Sequence, residues 1–71
     1  MVRQMDEHEQ RSMMLKMLQN APDWVTSEVI EANTWMNQWG VFEAAMHLVK
    51  QGHPVCVQHL ESGWLNWTES E

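Results

Sequence analysis

The helical rhythm of this chain stops at one place and does not return. In "QGHPVCV", Gln51 to Val57, a glycine (Gly52) and a proline (Pro54) stand two residues apart. Glycine accepts the left-handed backbone in which helices commonly end. Proline cannot re-enter a helix, because it lacks an N–H and its ring clashes with the preceding turn. Before this break the apolar residues recur at steps of three and four; after it the β-branched and aromatic residues cluster in short extended runs. Helices are therefore predicted up to Gly52 and a small β-hairpin beyond Pro54.

Met14, Met17, Leu18 and Ala21 share one face of a helix predicted over Glu9 to Ala21. Pro22 stops it. Met5, Met13, Met14 and Met17 lie in or just before this helix and are expected to serve mainly as core packing. "DWVTSEVIEAN", Asp23 to Asn33, reads as a short second helix capped by Thr26 or Ser27, with Glu28 placed where the helix dipole favours an acid. Val25, Val29 and Ile30 are expected to face the first helix.

Asn37 can cap a third helix that runs to about Gln51. Its apolar face is Val41, Ala44, Ala45 and Leu48, while Gln38, Trp39, Glu43, Met46, His47 and Lys50 fall elsewhere. Gly40 in its first turn weakens it by about 1 kcal/mol relative to alanine. Val55 to His59 and Trp64 to Trp67 are the predicted strands, joined by "LESG" with Gly63 in the left-handed position. The expected organisation is a flexible leader over residues 1–8, one domain over 9–68 and a flexible tail over 69–71.

A chain of 71 residues buries only about 60% of the surface that it exposes unfolded, so the core is small. Cys56 stands alone, so an intrachain disulfide is excluded, which fits a reducing compartment. No apolar run approaches the roughly 20 residues of a membrane helix. The polar, acidic start "MVRQMDEHEQRS" is unlike a secretory signal. The expectation is a cytoplasmic chain with no membrane partner.

Charge constrains function further. Ten acids against four bases give a formal net charge of −6. The bases, Arg3, Arg11, Lys16 and Lys50, are scattered rather than clustered. Nucleic-acid binders ordinarily display a positive face, because neutralising phosphates supplies much of their affinity.

The order helix, helix, helix, hairpin, with Thr26, Ile30, Ala32, Asn37, Val41, Ala44, Leu48 and Gly52 at their spacing, resembles the winged helix-turn-helix domains of short transcriptional regulators in bacterial operons and prophages. The resemblance covers Gln10 to Thr68 and is closest from Thr26 to Gly52. It implies a mostly α fold with a small β-hairpin, a third helix that reads the DNA major groove and a hairpin wing. Asn37, Gln38 and Lys50 are the residues that would meet DNA. The sequence departs from the pattern at telling places. Trp35 stands where the motif's turn commonly has glycine, Thr34 where a leucine commonly packs, and Glu61 at a wing tip that is often basic.

Five tryptophans are many for so small a core. Trp24 and one of Trp64 and Trp67 are expected inside. Trp35 and Trp39 fall where the family exposes side chains, and with Met36 and Met46 they are expected to form an apolar patch flanked by Glu43. Exposed tryptophans are frequent interface anchors, since they bury much area at little entropic cost. The candidate partner-binding set is Trp35, Trp39, Glu43, Met46 and His47. His47, His53, Cys56 and His59 lack a zinc-finger spacing, and strand alternation separates Cys56 from His59, so no metal or other cofactor is expected. Cys56 is expected to be a small buried hydrophobe of the wing. No nucleophile with a positioned base and no phosphate loop is present, so the chain is not expected to be an enzyme. The reading is a regulatory module that binds a partner protein or itself, as a host-factor regulator or nucleic-acid mimic of phage type would; the alternative is a sequence-specific DNA-binding regulator.

Overall fold

The computed structural model describes residues 5–69. Along them run α1 (Glu7–Asn20), β1 (Val25–Thr26), α2 (Ser27–Thr34), α3 (Gln38–Lys50), β2 (Val55–His59) and β3 (Leu65–Glu69). Each helix begins on a side chain that accepts one of the backbone N–H groups the helix cannot bond internally. The Asp6 carboxylate accepts from Glu9 N–H at 2.8 Å, the Thr26 hydroxyl from Val29 N–H at 3.4 Å, and the Asn37 amide oxygen from Gly40 N–H at 2.8 Å. The Asp6 cap starts α1 two residues earlier than the apolar periodicity does, within the segment expected as leader. That leader and the expected tail lie partly outside the described residues, and β3 runs through Glu69.

The stop after α3 is the one expected from Gly52 and Pro54. Gly52, at φ 97°, donates to the Val49 carbonyl, and His53 N–H donates to the Leu48 carbonyl, both at 3.0 Å. Two such bonds around a left-handed residue satisfy the last free carbonyls of a helix. At the wing tip Gly63 takes φ 95° as Leu60 N–H bonds the Trp64 carbonyl at 2.8 Å.

The sheet has three strands, all antiparallel, in the order β1-β3-β2. β2 and β3 are the expected hairpin, in register from Val55 opposite Glu69 to His59 opposite Leu65. β1 was not predicted. Two residues show no alternation of their own, and their pairing of Val25 with Trp67 and Thr26 with Asn66 exists only because the tertiary fold brings β3 alongside. The buried Ser27 hydroxyl reinforces this seam by accepting from Leu65 N–H at 3.3 Å. Three helices, a tight turn between α2 and α3, and a sheet ending in a hairpin make the winged helix-turn-helix architecture.

Met14 and Leu18 of α1, Ile30 of α2, Val41, Ala44, Ala45 and Leu48 of α3, and Leu65 and Trp67 of β3 meet in one core. Complete burial of a side chain the size of Met14, Ile30 or Val41 stabilises by about 1.5–3 kcal/mol. Four residues depart from expectation. Trp24 is exposed rather than in the core, because β1 turns Val25 inward and the preceding residue therefore outward. Val29 is exposed, since the inner face of α2 is Ser27, Ile30 and Thr34. Met36 is buried instead of joining the surface patch. Gly40 lets it in: a Cβ there would stand 3.2 Å from Met36 Cβ. Cys56 is only half-buried, on the sheet face opposite Val55 and Val57.

Candidate functional site

The outer surface of α3 is unusually apolar for an exposed helix face. Trp39, Phe42, Met46 and Val49 follow one another at steps of three, four and three, and are exposed by 78%, 42%, 57% and 52%. That spacing lines them up along one side of the helix. The wing stands beside them. Phe42, Met46, Val49 and Lys50 of α3, with Val55 and Val57 of β2, border a groove of about 290 Å³ that has Trp67 and Ala45 in its wall. Phe42 closes one side by meeting the buried Trp67 ring edge to face, with centroids 5.4 Å apart. The Trp67 indole N–H has no hydrogen-bond acceptor among the described residues.

The residues singled out from sequence divide between two sides of α3. Trp39 and Met46 belong to the apolar stripe. Glu43 and His47 border a separate, polar hollow of about 310 Å³ between α3 and α1, together with Glu7, Gln10 and Arg11. Glu7 and Arg11, one turn apart on α1, pair on its α1 side at 3.7 Å. Trp35 lies apart from both, as the residue that closes α2. It takes the left-handed conformation, φ 63° and ψ 12°, while its N–H bonds the Glu31 carbonyl at 3.1 Å. It is the one non-glycine residue with positive φ among those described, and it is 60% exposed.

The three residues that would touch DNA are also on the surface. Asn37 has its amide oxygen committed to the α3 cap. Gln38 is exposed at the start of the helix and Lys50 at its end, with no lysine or arginine between them. Phe42, Val49 and Val57 were not anticipated as surface residues. The stripe of Trp39, Phe42, Met46 and Val49 is legible in the sequence as a second helical face, whereas Val57 becomes part of it only through the position of the hairpin.

Among the described residues no three of His, Cys, Asp and Glu come together as a metal site. No described helix is long and apolar enough to cross a membrane. Comparison with family models, with characterised proteins and with solved structures gives no match. The architecture is that of a winged helix-turn-helix fold, with an exposed apolar stripe on α3 beside the hairpin.

Proposed function

We propose that this chain is a small, acidic, non-catalytic winged-helix module that binds protein through α3 and the wing. The observation that carries the reading is the exposed stripe of Trp39, Phe42, Met46 and Val49 on the helix that a DNA-binding relative would place in the major groove. Exposed apolar surface of this extent marks an interaction site on a monomer. Phosphates offer such side chains nothing, whereas a partner protein offers them removal from water. The net charge of −6 favours the same choice, because it opposes every approach to DNA.

Anisotropy of a labelled random duplex, titrated with the protein at low salt and near physiological salt, tests this reading. No binding at micromolar protein is expected in either condition. Salt-sensitive binding would transfer the assignment to DNA, with Asn37, Gln38 and Lys50 as its contacts.

A further inference from the structure

The sheet order leaves β2 at an edge, and from Val55 onward that edge carries little of the usual protection. Proteins guard exposed edges with lysine, proline or a bulge. Val55–His59 contains no lysine and no proline, and its register with β3 is unbroken from end to end. The direction of its backbone groups follows from the hairpin. Leu60 N–H bonds the Trp64 carbonyl, so Leu60 points toward β3. Antiparallel pairs alternate between bonded and non-bonded. Gln58 and Cys56 therefore also bond β3, and Val55, Val57 and His59 turn their N–H and C=O groups to the open edge. Of these donors Val55 N–H is already spent on the His53 carbonyl, at 2.9 Å.

We infer that this edge pairs with β2 of a second copy of the chain, about a twofold axis through Val57. This rests on the protein-binding reading above and names the partner. A five-residue strand centred on Val57 is self-complementary: Val57 faces Val57, Cys56 faces Gln58 and Val55 faces His59, with no like-charged pair of acids or lysines opposed. Each Val57 exchanges both backbone bonds with its mate, and each His59 N–H meets the Val55 carbonyl opposite, so the committed Val55 N–H is not needed. Opposed β-branched side chains stabilise such a pair. An isologous twofold contact of this kind closes on itself and does not propagate.

Charge and area fit a second copy. Two chains of −6 can approach only along a surface free of carboxylates, and residues 44–60 contain no Asp or Glu. The groove between α3 and β2 is bordered by one charge, Lys50. Val55 and Val57 lie on the α3 side of the sheet, so the twofold brings both α3 helices to the same face of a six-stranded sheet. Met46 and Val49 of each copy then cover the other's groove. A stable dimer takes about 800 Å² from each partner, roughly a sixth of the 5143 Å² exposed here. Phe42 borders that groove and is 42% exposed, so it has apolar surface left for the second copy to cover.

Sedimentation velocity of the full chain, from about 1 μM to about 1 mM, tests the pairing across the range of weak to moderate affinities. The expected result is a dimer whose population falls at least tenfold in both Val57→Pro and Val57→Lys, with the far-ultraviolet circular dichroism of each unchanged. Val57→Pro removes only a donor that faces outward, and edge strands tolerate proline there. Val57→Lys reaches the same end if the proline variant does not fold. A wild-type chain that stays monomeric to the top of the range overturns the inference, as does a dimer that survives Val57→Lys. Neither result bears on the choice between protein and DNA, which the duplex titration decides separately.

Discussion

Phe42 and Trp67 meet edge to face, with ring centroids 5.4 Å apart and planes at 85°. One ring is part of the exposed stripe of α3 and the other is sealed in the core. This contact fixes the wing against α3 and so sets the width of the groove between them. Phe42→Ala is predicted to cost about 2 kcal/mol, less than for a fully buried phenylalanine because Phe42 is half in water. Urea denaturation followed by tryptophan fluorescence measures it, and a loss under about 0.5 kcal/mol, the scale of an ordinary surface change, would show that the pair does not hold the wing.

Trp39 is the converse case, a large ring that touches little. Trp39→Ala should leave stability within about 0.5 kcal/mol of the parent. Association through α3 should weaken about tenfold or more, as truncation of an interface anchor does. Calorimetric dilution, run beside thermal melts, separates the two effects. Unaltered association would remove Trp39 from the binding surface.

Trp35 holds a backbone conformation that costs a residue with a Cβ about 1–2 kcal/mol, and strain of that kind tends to persist where a site requires it. Asparagine tolerates the same conformation far better. Trp35→Asn is therefore predicted to keep or raise stability, by up to about 1 kcal/mol. A large destabilisation in a thermal melt would mean instead that the tryptophan is kept for packing.

Asn37 caps α3, as expected from the sequence, with its amide oxygen accepting from Gly40 N–H. Asn37→Ala should cost about 1 kcal/mol of stability and Asn37→Asp should restore it, because aspartate caps equally well. Chemical denaturation of the three proteins checks this. Were the side chain a phosphate contact alone, alanine would leave stability unchanged, and both variants would weaken duplex binding, aspartate the more through its negative charge.

Much of this molecule is legible in its sequence. The punctuation by Pro22, Gly52 and Pro54, the Thr26 and Asn37 caps and the inner face Val41, Ala44, Ala45 and Leu48 are local signals, set by backbone sterics and by spacing along one helix. The surface was read less well for an equally local reason. Periodicity says which residues share a face but not how far a neighbouring element covers it, and so Trp24 and Val29 were placed inside and Met36 outside. Gly40 illustrates the limit. From the sequence it is a weak point of α3, and only the approach of Met36, 3.2 Å from where a Cβ would stand, shows that a side chain there would be crowded.

The sequence by itself determined three helices, a hairpin and an acidic surface, because caps, breakers, periods and charges act over a few residues or in bulk. Tertiary structure alone decided that Val25 and Thr26 would become a third strand, that β2 would be left at the edge, and that Val57 would stand beside Met46 and Val49. Those facts depend on contacts between distant parts of the chain. No local propensity encodes them, since they exist only when β3 has been laid between its two neighbours.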